Sequence, residues 1–297
     1  MSKAHWIDLI YKRRATETVR VAEDADARLQ ALPGIRAIIF DIYGTLFSSG
    51  VGDISLAAET NRDAQLKAAL VNAGIRLSAA AQHIRLDDRL HAVIHRHQDL
   101  RRAEGIVYPE VDIRKVWAEL LHSLVEDSLI EVSSAESVET LAVDYESRVN
   151  PIQPMPGLQA ELTQLTRRGL MMSIISNAQF YTPLLFDAFL MQNAAYFGFC
   201  KDCAVWSYAE LEGKPSPRLY HIAAQRFRQH HHVQPHEILY VGNDLRNDIW
   251  PAQSVGFKTA LFAGDRLSLR RRADDPACGA LQADLELTQL AQISHCI

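Results

Sequence analysis

Asp41 closes the apolar run Ile38-Ile39-Phe40 and is followed by Gly44 and Thr45. A β-branched and aromatic run reads as a buried strand, and a strand in an α/β protein ends at a ligand crevice. A carboxylate at that end, beside a glycine that lets a substrate approach, is placed to act as a nucleophile. Three later segments put complementary groups in similar slots. Ser176-Asn177 offers a hydroxyl and an amide directly after the run ending at Ile175. Lys214, within Gly213-Lys214-Pro215-Ser216-Pro217, offers a cation that could keep a neighbouring carboxylate ionised. Gly242-Asn243-Asp244-Leu245-Arg246-Asn247-Asp248 places two acids after the run ending at Val241, where they could hold a cation or cap a helix near Ile249.

These groups need a scaffold that gathers strand ends. Residues 36–41, 170–175, 204–206, 238–241, 258–262 and 283–287 read as strands separated by helical patterns. That alternation implies right-handed crossovers and a Rossmann-like, three-layer α/β fold with a parallel sheet. Between about 50 and 150 the pattern turns helical. Val116, Leu120, Leu121 and Leu124 share one face, behind Asp112 as a candidate N-cap. The expected organisation is a helical extension over residues 1–35, a core made of 36–49 and 151–297, and an inserted all-helical unit over 50–150. In the extension, residues 5–31 read as helix, closed by Leu32-Pro33-Gly34. Pro151, Pro154 and Pro156-Gly157 form a stiff, hinge-like return to the core.

Bulk properties narrow the options. The chain has 297 residues, 48% hydrophobic and 23% charged, with 31 basic and 36 acidic residues for a net charge of -5. No broad basic field favours nucleic acid, and no run of about 18 apolar residues could span a bilayer. With no signal-peptide core at the start, a soluble cytoplasmic protein acting on a small molecule is expected; the sequence leaves the oligomeric state open. Cys200 and Cys203 form a Cys-x-x-Cys pair, but Cys278 and Cys296 make no second pair, so ordinary reduced thiols are expected. His230, His231 and His232 read as a solvated helix end.

The four segments, in this order, resemble the motifs of the haloacid dehalogenase superfamily. The resemblance implies that the 50–150 insertion is a mobile cap, that Asp41 is the nucleophile, that the hydroxyls of Ser176 and Thr45 donate to the transferring group, and that Asn177 is a further catalytic residue. It implies that Lys214 pairs with Asp41, and that Tyr43 and Gly44 border the substrate. It also implies magnesium, held by Asp41, the backbone carbonyl of Tyr43, and Asp244 or Asp248. On this ground a magnesium-dependent phosphohydrolase of a small metabolite is the expected activity.

Two positions depart from the phosphatase pattern. Tyr43 stands where phosphatases of the superfamily carry a second aspartate, the acid–base that protonates the leaving alkoxide. Aligned on Gly242, Asn243 stands where the first late acid is usual and Asp248 matches the second. Aligned on the acids, Asp244 and Asp248 have an allowed phosphatase spacing, and the Ser-x-Asn-x-x-Asp arrangement of the dehalogenase branch is not reproduced. A tyrosine, with an ordinary pKa of about 10, is a poor base near neutrality. The dehalogenase branch carries Asp-x-Tyr-Gly-Thr, as here, because halide leaves without a proton; it also dispenses with magnesium. That branch holds halide with an early cap arginine, for which Arg76 and Arg85 lie in the right region. Carbon–halogen hydrolysis is therefore the alternative activity, and a weakly active binding protein of the same fold is a third. His83, His91, His95, His97 and His122 are candidates to line the cap side.

Overall fold

A computed structural model describes residues 2–49, 62–132 and 138–297. The core is a six-stranded parallel sheet made of β1 (Ala37–Phe40), β4 (Met171–Ser176), β5 (Val205–Trp206), β6 (Ile238–Gly242), β7 (Lys258–Phe262) and β8 (Leu285–Leu287). Its order is β5-β4-β1-β6-β7-β8. β1 lies at the centre, with Phe40 opposite Ile174 on one side and Val241 on the other. Both faces of β1 are buried, which explains why it reads as a continuous apolar run rather than an alternating one. The register also fixes the chemistry. Asp41, Ser176 and Gly242 all fall at the same carboxyl edge, and the Asp41 amide still donates to Val241 O at 2.9 Å.

Helices cover the sheet for reasons visible in their spacing. α7 (Leu158–Arg167) buries Leu158, Leu162 and Leu165 on one face. It is bounded by Gly157 and Gly169, at φ 76° and 73°, conformations that suit glycine. α8 (Leu184–Leu190) packs Phe186 onto Phe47 and Phe199. α9 (Ser207–Glu210) is one short turn, and α10 (Pro217–His231) starts at a Ser216 cap with proline in its first turn.

The segment between core strands β1 and β4 carries α2 (Asp63–Asn72), α3 (Ala79–His83), α4 (Leu86–Ala103), α5 (Ile113–Glu126) and α6 (Val138–Val149). α5 buries Val116, Trp117, Leu120 and Leu124, and Asp112 caps it by accepting from Arg114 N at 3.1 Å. One feature goes beyond the expected helices. β2 (Ile75–Leu77) and β3 (Ile130–Val132) pair as an antiparallel ribbon. Residues 50–61 and 133–137 of the expected cap lie outside the described residues.

The expected helix over 5–31 needs correction: only α1 (Lys3–Lys12) forms. Beyond it the backbone finds partners in the core instead of in itself. Ala15 N donates to Ile152 O, and Arg28 exchanges hydrogen bonds with Glu286 beside β8. β-branched Thr16, Thr18, Val19 and Val21 favour this extended course. α1 itself bridges two regions. Trp6 Nε1 donates to Thr140 of α6 at 2.9 Å, Arg13 pairs with Asp144 of α6, and Lys3 pairs with Asp187 of α8 at 3.2 Å.

Candidate active site

The site is assembled where β1, β4 and β6 end. Lys214 is its centre: Nζ lies 2.8 Å from Asp41 Oδ1 and 2.6 Å from Asp248 Oδ1, and all three side chains are nearly sealed from solvent. Burial alone would lower the lysine's pKa, but Asp248 and then Asp41 outweigh it and hold the ammonium charged. Burial pushes the Asp248 carboxyl up, with Lys214 opposing. Tyr240 Oη donates to Asp248 Oδ1 at 2.9 Å, and the Asp244 amide donates to Oδ2 at 3.0 Å. Gly242 is required here, because a Cβ would collide with the Asp248 carboxyl.

Asn177 positions the lysine loop rather than the nucleophile. Its Oδ1 accepts from Lys214 N at 2.7 Å, and its Nδ2 donates to Lys214 O at 3.4 Å. Ser176 is fully buried at the end of β4. Thr45 Oγ1 donates to Asn243 Oδ1 at 3.2 Å, while Asn243 Nδ2 donates to Ser268 O at 2.5 Å. Gly44, at φ 82°, leaves no room for a side chain: a Cβ would sit 2.6 Å from Asn243 Nδ2. Tyr43 shares a hydrogen bond with Thr182 at 3.0 Å. Its phenol is pushed well up, by burial first and then by Glu146 and Asp41, so it stays protonated.

Asp244 is occupied elsewhere. Its oxygens accept from Arg246 N at 2.8 Å and Asn247 N at 3.1 Å, capping the wide helical turn Leu245–Ile249. They also receive Arg272, with Nη2 2.6 Å from Oδ2. This bears directly on magnesium. A divalent cation of this kind wants an octahedron of oxygens anchored by one or two carboxylates. Both Asp244 oxygens are taken by donors, as are both Asp248 oxygens. Asn243 offers a neutral amide already engaged by Thr45, and residue 43 is expected to contribute only its backbone carbonyl. Asp41 and Asp248 supply carboxylates at expected positions, and both are paired with Lys214. Of the expected ligands, Asp41 and Asp248 thus converge on Lys214, while Asp244 is held by Arg272. A lysine at the centre and a neutral Asn243 make this a poorer donor set for the ion than two free carboxylates.

A cleft of about 690 Å³ opens between Tyr43, Asn177 and Lys214 on the core side and the helices of the insertion. Arg62, His91, His95, Trp117, Tyr145 and Glu146 line it from the insertion, and Arg246 and Arg272 from the core. Burial pushes the carboxyls of Glu110 and Glu146, both on this cleft, above their ordinary range. Burial also lowers the imidazole pKa of His91. Of the histidine candidates, His91 and His95 reach the cleft; His83, His97 and His122 are not part of its lining. Neither proposed cap arginine lines it. Arg76 is exposed beside Glu131, and Arg85 pairs with Asp87 and Asp88. Arg62 lines it instead, and no sequence signal distinguished it from its neighbours.

A parallel sheet with a strand-end aspartate, a buried lysine bridging it to a later acid, and a helical insertion beside the cleft make a Rossmann-like α/β protein with its site at the carboxyl edge of the sheet. Residues 35–256 match the model of a hydrolase family, haloacid dehalogenase-like hydrolase, and the chain belongs to that family. No curated protein matches significantly. Among solved structures, it is similar to 2-haloacid dehalogenase from Pseudomonas syringae pv. Tomato DC3000 at 18% identity, with 88% of this chain and 97% of that one covered and a TM-score of 0.53. It is equally similar to a HAD phosphatase from Thermococcus onnurineus, at 19% identity, with 88% and 97% covered and a TM-score of 0.52. At these identities the likeness establishes the fold alone. No helix among the described residues is long and apolar enough to cross a membrane.

Proposed function

We propose that this chain hydrolyses a small anionic substrate by nucleophilic displacement at Asp41, without a metal ion, and that the leaving group departs unprotonated, as halide does from a 2-haloacid. The observation that carries this reading is the pair of neutral residues, Tyr43 and Asn243, at the two places where a metal-dependent phosphohydrolase needs acids. Lys214 sets its ammonium against the Asp41 carboxylate at 2.8 Å.

The chemistry balances without further groups. Asp41 attacks the carbon bearing halogen, the carbon–halogen bond breaks with its electron pair, and an alkyl ester of Asp41 remains. Water then adds to the ester carbonyl. The hydroxylated product leaves, a proton is released, and the carboxylate is restored. Ser176 and Thr45 stand at the carboxyl edge of the sheet beside Asp41, and Asn177 holds the Lys214 loop in register. Arg62, on the insertion side of the cleft, is suited to the substrate's carboxylate or to the departing halide. The described helices of the insertion, within residues 62–132 and 138–149, act as a cap over this cleft, and the hinge lies at Pro151–Gly157.

The competing reading is magnesium-dependent phosphoester hydrolysis, favoured by the family's wide use of that ion and opposed by the donor set. Halide release from a panel of 2-haloacids, measured in EDTA, tests the proposal against phosphate release from phosphorylated metabolites in magnesium. Halide release abolished by Asp41→Asn supports it. Phosphate release that needs magnesium and Asp41, with no halide release from any haloacid, overturns it.

A further inference from the structure

Away from the cleft, the structure gathers Cys200, Cys203 and His231 into one cluster. One ligand atom from each lies within 4.8 Å of the others, and Cys200 Sγ is 3.3 Å from His231 Nε2. From these residues we infer a binding site for a thiophilic divalent ion, zinc by preference, with two thiolates, one imidazole and water as the fourth ligand.

The geometry suits that ion. Tetrahedral zinc, with Zn–S near 2.3 Å and Zn–N near 2.1 Å, sets its sulfurs about 3.8 Å apart and sulfur and nitrogen about 3.6 Å apart. The Cys200–His231 separation of 3.3 Å is close to the latter value, and all three ligand atoms lie within 4.8 Å of one another. Thiolate and imidazole donors select zinc over magnesium or calcium, which require oxygen. Both thiols release their protons on binding. Cys203 is fully buried, whereas Cys200 and His231 are partly exposed, so the ion has an entry side and room for water.

The backbone holds the ligands in place. Cys200 N donates to Met172 O at 2.7 Å, and Ser173 Oγ donates to Cys200 O at 3.3 Å, pinning the Cys-x-x-Cys turn to the start of β4. His231 ends α10, thirty-one residues along the chain from Cys200. An ion here fastens the turn before β5 to the last turn of the helix that follows the Lys214 loop. It is separate from the catalytic edge: Ser176 lies four residues further along β4 than Met172, roughly 13 Å at strand rise. The site is structural, distinct from catalysis.

The test uses full-length protein, reduced and stripped of metal. Cobalt(II) titration should give the intense visible absorption of a tetrahedral thiolate complex, saturating at one ion per chain, and zinc should bleach it. Cys200→Ser and His231→Gln, both at partly exposed positions, should each weaken binding at least tenfold, while Cys278→Ser leaves it unchanged. Zinc should raise the unfolding midpoint of the wild type but not of His231→Gln. The inference is overturned by absence of the thiolate band in wild type, by an undiminished band in both variants, or by a Cys200–Cys203 disulfide that forms while the reduced protein ignores both ions.

Discussion

Arg272 grips Asp244 through both Nε and Nη2, at 3.1 and 2.6 Å from Oδ2. The same carboxylate caps the turn Leu245–Ile249. An acid that the chain offers as a cation ligand thus serves as a local brace, tying the loop after β6 to a loop near residue 270. Asp244→Asn should therefore behave as a stability variant. The amide oxygen keeps the cap, so the loss is that of the charged hydrogen bonds to Arg272, about 1.5–3 kcal/mol in denaturant unfolding. Turnover of the folded variant should change by less than tenfold, with or without EDTA; a newly magnesium-sensitive wild type would contradict this assignment.

Lys214 carries more. Replacing it with Met leaves Asp41 and Asp248 buried without their shared cation. Breaking such a pair costs about 3–5 kcal/mol. The expected result is a markedly lower urea midpoint together with loss of activity beyond 10³-fold, on the order of losing a positioned ionic group at a reacting centre. Retention of most activity would remove Lys214 from the site.

Arg62 should affect binding more than chemistry, because it lies on the insertion side of the cleft, across from the core residues. Loss of one charge-assisted hydrogen bond to a substrate anion is worth about 1.5–3 kcal/mol. Arg62→Ala should therefore raise KM some ten- to hundredfold. If KM holds steady and only kcat falls, the arginine contacts the leaving group instead of the anchoring carboxylate.

Glu146 gives a pH prediction with a definite sign. Burial raises its carboxyl above the ordinary value of 4.5, so the native state binds a proton that the unfolded chain has released. Its contribution to stability is complete below pH 4.5 and is lost as pH rises through the elevated native pKa. Urea unfolding across this range should show a declining component that Glu146→Gln removes. An identical pH dependence in that variant would show that other groups, such as Glu110, dominate.

The two neutral replacements can be reversed. Tyr43→Asp combined with Asn243→Asp adds two carboxylates next to Asp41 and recreates an oxygen-rich set suited to magnesium. Magnesium should raise the unfolding midpoint of this double variant and leave the wild type unmoved. A wild type stabilised to the same extent would mean that the native donors already suffice.

Most of the framework was legible in the chain. The six strands fall where apolar runs predict them, because a strand buried on both faces leaves a short β-branched signature that needs no partner to be read. Asp41 and Ser176 stand out because each closes an apolar strand run, Lys214 because it sits before Pro215 in a turn, and Asp248 because it falls in the polar segment that follows β6. α1 was legible only in part. Residues beyond Lys12 met hydrogen-bond partners in the core, at Ile152 and Glu286, that local pattern does not contain.

What tertiary structure decided is the commitment of each polar atom. Sequence alone established a strand-end aspartate with a tyrosine in place of its usual acid–base partner, and so framed the choice between leaving groups. It could not establish that Arg272 takes Asp244, that Asn243 serves Thr45 and Ser268, that Arg62 reaches the cleft, or that His231 joins the two cysteines. Each of these pairs residues 25 or more positions apart. The reason is physical: spacing along a strand or helix fixes which residues share a face, whereas a carboxylate's partner depends on which distant loop arrives within about 3 Å of it.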